Sequence, residues 1–321
     1  MILITGAAGF IGSYLSGFLN RQGHKDIILC DDFKVIGKKS NWQHKSYLEL
    51  VQRDLLFEYI QKNHADIDVI YHLGARTDTA EKNKEVFDKL NLNFSKKLWD
   101  LCVKHQIPLI YASSAATYGN GEYSYSDEHS LIPKLKPLNP YGESKQDFDN
   151  WVLSQKNLPP FWAGLKFFNV YGPNEYHKGR MASVIFHAFH QIQQEGKLKL
   201  FRSHKDNFAD GEQKRDFIYV KDIAEICYFL YKNRLQSGIY NAGSGKARSF
   251  LDLANAVFSS MNIKANIEFI DIPADIRDTY QYFTEADMSK LLKNNYPKSF
   301  TSLEDGVHEY VNAYLINKTT F

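Results

Sequence analysis

The chain has 321 residues, of which 44% are hydrophobic and 24% are charged, and its formal net charge is +2. This composition is ordinary for a globular protein with a large core, and so small a net charge argues against nucleic acid or a membrane surface as a partner. The three cysteines lie far apart without a CxxC pair, so we expect no disulfide framework, no metal site and a reducing, cytoplasmic compartment.

The first half of the chain alternates short apolar runs with amphipathic stretches. We predict strands at residues 2–5, 26–31, 68–72, 107–112 and 162–168, and helices at residues 10–21, 86–105 and 141–154. This alternation predicts an α/β fold with a doubly wound parallel sheet of Rossmann type. The opening residues lack a signal peptide's basic region, and no apolar run reaches about 18 residues, so we expect neither a leader nor a membrane span.

The second half of the chain is less regular. We predict helices at residues 182–194, 222–232, 249–261 and 303–315, strands at 198–201 and 215–220, and a polar, mobile loop at 202–214. The loss of strict alternation predicts a smaller, interleaved C-terminal α/β domain. We therefore assign residues 1–171 and 216–248 to an NAD(P)-binding Rossmann domain, and residues 172–215 and 249–321 to a substrate-binding domain.

Three glycines, Gly6, Gly9 and Gly12, stand between the first predicted strand and the first predicted helix. Glycine lets the backbone turn tightly and approach a pyrophosphate, and the N-terminus of the helix offers free N–H groups to the anion. A glycine turn alone is weak evidence, but in this position it predicts a dinucleotide-binding loop.

The second predicted strand ends in Asp31 and Asp32, where an acid typically holds the adenosine ribose and favours NAD. Lys38 and Arg53 follow and are candidates for contact with the 2′-phosphate of NADP. Both can equally be solvated surface cations, so these residues leave the choice between NAD and NADP open.

Tyr141 and Lys145 lie four residues apart at the start of a predicted helix, so their side chains share one helix face. We expect the Lys145 ammonium to lower the pKa of Tyr141 and make the phenol an acid/base for a sugar hydroxyl. Lys145 is also placed to hold the nicotinamide ribose.

Two serines and a threonine follow the predicted strand at residues 107–112. Parallel sheets place their sites at the carboxyl ends of strands, so a hydroxyl here can bridge Tyr141 and a substrate oxygen. We choose Ser114 for this role, with Thr117 as the alternative, and interpret Ser113 as a turn-capping hydroxyl.

Motifs spread over nearly the whole chain resemble the extended short-chain dehydrogenase/reductase family. They are the glycine loop, HLGA at 72–75, YASSAATYG at 111–119, YxxxK at 141–145 and RDFIYVKD at 215–222. The more discriminating stretch FNVYGPNEYHKGRMASV at 168–184 resembles, within that family, the ADP-glyceromanno-heptose 6-epimerases of lipopolysaccharide heptose synthesis. The resemblance implies NADP, with NAD as the alternative, an ADP-heptose substrate and a homo-oligomer, for which a pentamer is one candidate.

The resemblance also implies roles for individual residues. Tyr141 and Lys178 are the expected acid/base groups on opposite faces of C6″, with Ser114 and Lys145 as their catalytic partners. The cofactor is expected to contact Gly6, Gly9, Phe10, Ile11, Gly12, Asp31, Asp32, Lys38, Arg53, Leu73, Gly74, Ala75, Asn91, Tyr141, Lys145, Val170 and Lys178. The substrate is expected to contact Asn169, Arg180, His187, Phe201, Arg215 and Tyr280.

Each of these roles has a structural alternative. The structural alternatives are an exposed loop lysine for Lys178, a helix-packing residue for His187 and the partner of a neighbouring acid for Arg215. Arg180 stands where the family usually has a small serine, so its charge either grips a phosphate or crowds the sugar. The loop at 202–214 is longer than we expect for the family. The substrate contact that the resemblance implies for Phe201, just before this loop, therefore departs from the family pattern.

Two other functions fit the motifs. One is a different nucleotide-sugar epimerase, such as a UDP-hexose 4-epimerase with NAD, and the other is an inactive NAD(P)-sensing module. A dehydratase is disfavoured because that class usually carries an Asp-Glu pair where this chain has Ala115 and Ala116.

Overall fold

The structure, a computed structural model, describes residues 1–234, 236–277, 280–297 and 299–321, with the backbone alone at residues 275 and 276. Its strands are β1 (Ile2–Thr5), β2 (Ile27–Asp31), β3 (Glu49–Gln52), β4 (Val69–His72), β5 (Leu109–Ser114), β6 (Trp162–Phe167), β7 (Asn169–Tyr171), β8 (Leu198–Phe201), β9 (Lys214–Tyr219), β10 (Gly238–Ala242), β11 (Ala247–Ser249) and β12 (Ile267–Ile270).

Its α-helices are α1 (Phe10–Arg21), α2 (Lys39–Trp42), α3 (Leu56–Asn63), α4 (Lys84–Phe87), α5 (Phe94–His105), α6 (Pro140–Ser154), α7 (Val184–Glu195), α8 (Val220–Asn233), α9 (Phe250–Ser260), α10 (Ala274–Arg277), α11 (Ser289–Lys293) and α12 (Leu303–Glu309). Among the described residues, none of these helices has the length and apolar character that a membrane crossing requires.

A central sheet of seven parallel strands runs in the order β3-β2-β1-β4-β5-β6-β10. β1, β2 and β4 are buried along their whole length, as parallel strands covered on both faces must be, and Leu3, Leu29 and Ile70 are apolar examples. The strand order reverses between β1 and β4, and ligands of such sheets bind beyond the carboxyl ends of the strands at this point. The predicted α/β Rossmann fold is confirmed.

Helices flank the central sheet. In α1 the buried residues Phe10, Tyr14, Leu15 and Leu19 recur at helical spacing, which gives the helix one apolar face. α1 packs against α8, and α3 packs against α5. This packing fixes the start of α1, and therefore the glycine loop, at the end of β1.

Two smaller sheets come from the second half of the chain. β9 pairs parallel with β7 and antiparallel with β11, and β12 pairs parallel with β8. β7 follows β6 after the single residue Phe168, so the small sheet continues from the carboxyl end of the central one. The division into two domains at the stated boundaries stays a prediction.

The structure differs from the predicted elements in several places. The helix predicted at 86–105 is divided into α4, a π-helical segment Asp88–Asn93 and α5. The sequence did not predict β3, which is an edge strand with only Val51 buried, so the alternation of apolar residues is weak there. β10 and β12 were also missed, because such short apolar runs carry little periodicity.

Candidate active site

The glycine loop lies at the point where the strand order reverses. Gly6 has φ +68°, and a Cβ on Gly12 would lie 2.2 Å from the Gly6 carbonyl oxygen, so only glycine allows this close turn. A Cβ on Gly6 would lie 2.6 Å from the backbone nitrogen of Gly74, in the loop after β4. Gly9 precedes α1 and has no side chain to cap it, which leaves the start of the helix for an anion. This backbone cradle fits the pyrophosphate of a dinucleotide.

Asp31 is the last residue of β2 and lies where we expect the adenosine of the cofactor to bind. Its Oδ2 accepts a hydrogen bond from the Ala8 backbone N–H at 2.9 Å, and its Oδ1 accepts from Lys38 Nζ at 3.0 Å and from the Asp32 N–H at 2.7 Å. A carboxylate accepts about four hydrogen bonds, so Asp31 retains capacity for a ribose hydroxyl. Arg53 pairs with its exposed neighbour Asp54 at 3.1 Å. The position of Asp31 therefore fits the ribose of a dinucleotide, and Lys38 places a positive charge beside this carboxylate.

A cleft of about 390 Å³ opens beyond the carboxyl ends of β4, β5 and β6, a size typical of ligand pockets. The predicted site residues on its wall are Phe10, Ile11, Leu73, Ala75, Ser114, Tyr141, Lys145, Asn169, Val170 and Lys178. Elements far apart in the sequence thus bring together all four predicted catalytic residues.

The start of α6 places Tyr141 beside the end of β5. Asn139 caps the helix by accepting a hydrogen bond from the Gly142 N–H at 2.8 Å, and Pro140 occupies the first helical position. A Cβ on Gly142 would lie 3.0 Å from the Ala116 carbonyl oxygen, so glycine permits this close approach of α6 to the turn after β5. The Tyr141 and Ser114 side chains line the same cleft as a result, and Ser114 acts to lower the pKa of Tyr141.

We expected the Lys145 ammonium to lower the pKa of Tyr141, but the pKa of Tyr141 is raised. Burial raises the pKa of Tyr141, and the hydrogen bond with Ser114 offsets this only in part. Burial lowers the pKa of Lys145 to about 8, opposed by the Asp149 carboxylate, while the ammonium donates to the Ala112 carbonyl at 2.7 Å. Burial is therefore the larger influence on the pKa of Tyr141, and the phenol carries its proton at neutral pH.

The turn-capping role expected of Ser113 belongs to Ser114, the last residue of β5. Ser114, rather than Ser113, caps the following turn by accepting from the Ala116 N–H at 3.1 Å, and it also meets Tyr141. Ser113 donates to Asp149 Oδ2 at 2.6 Å. Thr117 is fully buried and donates to the Ser114 carbonyl at 2.8 Å, so Ser114 is the hydroxyl of this group that meets Tyr141.

Lys178 reaches the cleft from the 3₁₀-helical segment Tyr176–Met181. Its ammonium lies 5.2 Å from the centre of the Phe10 ring, at the start of α1. Burial lowers the pKa of Lys178, and the buried carboxylate of Glu175 opposes this. Glu175 itself accepts from the Ser183 hydroxyl at 2.6 Å and the Tyr310 hydroxyl at 3.0 Å, which fixes the segment.

Besides the glycine loop and the residues around Asp31, three more predicted contact residues, Asn91, Arg180 and His187, are not part of the cleft wall. Asn91 is buried, where it bonds both backbone groups of Arg76 and the Ser144 hydroxyl, so it links the β4 loop to α6. Arg180 is exposed and pairs with Asp78 at 2.7 Å. His187 is exposed on α7. Their ligand contacts stay predictions.

The remaining predicted substrate residues form a second group near the cleft. The Phe201 and Tyr280 rings meet edge to face at 5.8 Å, and the Arg215 guanidinium lies 5.4 Å from the Tyr280 ring. Arg215 donates to the carbonyls of Lys214 and Gln281, so carbonyls and rings surround it instead of the neighbouring acid considered above.

Several cleft residues were missed by the sequence analysis, including Thr77, Thr79, Phe217, Gln281 and Thr284. The two threonines follow β4, and the rule that sites lie at the carboxyl ends of strands was a signal that could have found them. Gln281 and Thr284 lie in a segment without periodicity, so no local signal marked them.

Comparisons with known proteins agree with this geometry. The NAD dependent epimerase/dehydratase family matches residues 2–243. A Fusobacterium nucleatum protein named ADP-L-glycero-D-manno-heptose-6-epimerase is 45% identical over 100% of both chains. A Nitratidesulfovibrio vulgaris protein of the same name is 46% identical over 98% of both.

Solved structures extend the likeness. The Helicobacter pylori ADP-L-glycero-D-manno-heptose-6-epimerase has a TM-score of 0.82 at 28% identity, covering 97% of this chain and 95% of its own. The Methanobrevibacter ruminantium UDP-N-acetylglucosamine 4-epimerase, at TM-score 0.83 and 23% identity over 99% and 98%, shares the fold. The chain therefore belongs to the NAD dependent epimerase/dehydratase family and, within it, to the ADP-L-glycero-D-manno-heptose-6-epimerases.

Proposed function

We propose that this chain interconverts ADP-D-glycero-β-D-manno-heptose and ADP-L-glycero-β-D-manno-heptose through a transient 6″-keto intermediate, as a step of lipopolysaccharide core heptose synthesis. The full-length relatives that carry the epimerase name support the substrate. The observation that carries the mechanism is that Tyr141 and Lys178 reach one cleft from different elements. An epimerase that works through a ketone returns hydride to the other face of one carbon, so the oxygen on that carbon must exchange its proton in two orientations, which a single fixed group serves poorly.

The surroundings of Tyr141 and Lys178 set their resting proton states. Because burial raises the pKa of Tyr141 and lowers that of Lys178, the phenol holds its proton while the amine is shifted toward its neutral form. Groups whose pKa values are pushed apart divide acid and base roles between them. Lys178 therefore accepts the C6″ hydroxyl proton from one epimer, and Tyr141 donates a proton to the 6″-keto oxygen on the other face.

The other residues of the cleft support these transfers. Ser114 orients the Tyr141 hydroxyl, and Lys145 holds the nicotinamide ribose. A bound nicotinamide cofactor supplies hydride acceptance and donation, so no net oxidation results. Arg215, with the Phe201 and Tyr280 rings, forms a cationic and aromatic group suited to the ADP moiety.

The cofactor is proposed to be NADP. Lys38 lies 3.0 Å from the carboxylate that faces the ribose, where its charge is available to a 2′-phosphate. We place the reaction in the cytoplasm, since Cys30, Cys102 and Cys227 are free, buried thiols.

The active form is proposed to be a homo-oligomer. Leu48 and Leu55 are exposed by 55% and 56% and flank β3, the edge strand of the central sheet. Exposed apolar residues beside an open strand edge are a typical site of association. Light scattering of the purified protein measures the oligomeric state.

The experiment that tests the function has two parts. Mass spectrometry of the cofactor released on denaturation is expected to find NADP. Incubation with ADP-D-glycero-β-D-manno-heptose, followed by NMR of the product, is expected to give a mixture of both C6″ epimers. Bound NAD together with conversion of UDP-hexoses and no conversion of ADP-heptose would contradict the proposal.

A further inference from the structure

An ion pair fully removed from solvent lies behind the cleft. Asp149 on α6 and Lys166 on β6 meet at 2.7 Å, and both side chains are 0% exposed. A buried pair of this kind stabilises a fold little compared with well-packed apolar residues, because desolvation offsets the attraction. Asp149 lies four residues after Lys145 on the same helix face, which connects the pair to the candidate active site.

The Asp149 carboxylate links α6 to β5 through hydrogen bonds close to the residue that Lys145 contacts. Its Oδ1 accepts from the Tyr111 hydroxyl at 3.1 Å, and its Oδ2 accepts from the Ser113 hydroxyl at 2.6 Å. Between these two residues on β5, the Ala112 carbonyl accepts from Lys145 Nζ at 2.7 Å. Lys145 and Asp149 therefore bond to consecutive residues of one strand, so β5 connects the two side chains.

The Lys166 ammonium extends the same network to the Tyr141 hydroxyl. It donates to Thr117 Oγ1 at 2.7 Å, and Thr117 in turn donates to the Ser114 carbonyl at 2.8 Å. Ser114 lines the same cleft as Tyr141 and acts to lower the pKa of its phenol. The second member of the ion pair is thus connected to the backbone that sets the position of the catalytic hydroxyl.

We propose that the Asp149–Lys166 pair is a positioning unit of the active site, in which Asp149 supplies the negative charge one helical turn from Lys145, while Lys166, through Thr117, holds Ser114 in the cleft with Tyr141. The proposal rests on the roles of Tyr141 and Lys145 in the proposed function. Neither member of the pair touches substrate in this account, since both are enclosed.

The charged and titratable groups around Lys145 give the expected sign of the effect. Tyr141 and Asp149 lie on its own helix, and His72 lies at the end of β4. Tyr111 on β5 and Lys166 on β6 contact Asp149 directly. Burial lowers the pKa of His72 to about 3, so this ring is neutral. Asp149 is the carboxylate of this group and opposes the lowering of the Lys145 pKa by burial.

The test replaces both members of the pair, so that no buried charge is left without a partner. In Asp149→Asn/Lys166→Met protein labelled with ¹³C-lysine, the Lys145 resonance is assigned with a Lys145→Arg variant and titrated by NMR. Because Asp149 acts on the Lys145 pKa while no influence of Lys166 on it is resolved, we expect Lys145 to lose its proton about one pH unit lower than in the unaltered protein, a tenfold change in its protonation equilibrium. An unchanged titration in a folded double variant overturns the proposal.

A matched control separates this effect from general loss of stability. Asp222 is another buried carboxylate, on α8, and accepts two hydrogen bonds from Thr301. Asp222→Asn is expected to lower the melting temperature without moving the Lys145 titration. A shift of equal size in this control overturns the proposal.

A second variant tests the Ser114 half of the proposal and does not depend on the double variant folding. Thr117→Val keeps the side-chain shape but removes both hydrogen bonds. We expect kcat to fall about tenfold or more, since a misplacement of 1 Å can cost about 100-fold, while KM and the Lys145 titration stay unchanged. An unchanged kcat in this variant overturns that half.

The NMR measurement needs no substrate, so it separates this inference from the proposed function. If Lys145 titrates lower in the double variant although the unaltered protein converts no ADP-heptose, the positioning of Lys145 stands and the assigned substrate is wrong. If the unaltered protein converts ADP-heptose and Lys145 does not respond, the substrate stands and the positioning unit is wrong.

Discussion

Burial shifts the pKa values of Tyr141 and Lys178 in opposite directions. Burial disfavours the charged form of each group, which is the phenolate for the tyrosine and the ammonium for the lysine. In the proposed function, these shifts make Tyr141 the proton donor and Lys178 the proton acceptor of one cleft. Ser114 adds a hydrogen bond to the first, and Glu175 adds a negative charge near the second.

The first prediction concerns the two proton-transferring residues. Tyr141→Phe and Lys178→Met are each expected to lower turnover about 100- to 10,000-fold, because each removes a general acid or base. The bound cofactor content is expected to stay the same in Tyr141→Phe. Tyr123→Phe, at an exposed tyrosine, is the matched control. Near-unaltered turnover in the double variant Tyr141→Phe/Lys178→Met would contradict the two-base account.

The second prediction concerns pH. Lys178 must be neutral to accept a proton, so activity rises as pH increases through its lowered pKa. Glu175 opposes that lowering, so Glu175→Gln is expected to lower the Lys178 pKa further and to move the acid limb of the kcat profile to lower pH. Initial rates measured across pH on folded protein give the result. A limb that moves to higher pH would show that Glu175 does not act on Lys178 in this way.

At the scale of elements, the unit formed by β1, the glycine loop and α1 carries the cofactor site. The third prediction is that Gly12→Ala releases the cofactor and destabilises the fold by about 1–3 kcal/mol, because its Cβ would lie 2.2 Å from the Gly6 carbonyl oxygen. Cofactor absorbance and thermal melting measure both effects. Gly37→Ala is the control, since its Cβ meets only the His177 Cβ at 3.4 Å. Full cofactor retention in Gly12→Ala would contradict the tight loop.

Local patterns in the sequence were enough to predict several elements. β1 and α1 have the bounds predicted for them, and Tyr141 and Lys145 lie on one face of α6 as their spacing indicates. Lys178 was found through the family resemblance, because one lysine in an irregular segment has no distinctive spacing. Family likeness therefore supplied what periodicity could not.

Features that depend on tertiary packing could not be predicted locally. The spacing of Tyr141 and Lys145 indicated a nearby charge but not the burial of Tyr141, which raises its pKa. Burial depends on elements that are distant in the sequence. Gln281 joins the cleft from a segment far along the chain for the same reason. Asp149 and Lys166 belong to no sequence motif. They meet only because α6 packs beside β5 and β6 in the folded protein.

At the scale of the whole molecule, the cleft is built by both halves of the chain. Leu73 and Ser114 come from the central sheet, while Phe217 and Gln281 come from the second half. A ligand that binds both halves binds only the folded state and must stabilise it. The fourth prediction is that ADP-heptose at about 100 times its Kd raises the free energy of unfolding by about 2.7 kcal/mol, while UDP-hexoses raise it less. Thermal shift assays compare the two, and equal shifts would contradict selection of the ADP sugar.

The central claim is that hydride leaves C6″ and returns to the same carbon on its other face. ADP-D-glycero-β-D-manno-heptose carrying deuterium at C6″ tests it directly, with the product epimer analysed by NMR and mass spectrometry. The account predicts that the L-glycero product forms and keeps its deuterium at C6″ without exchange with solvent. Formation of the epimer with solvent hydrogen at C6″, or deuterium retention with no change at that centre, would contradict it.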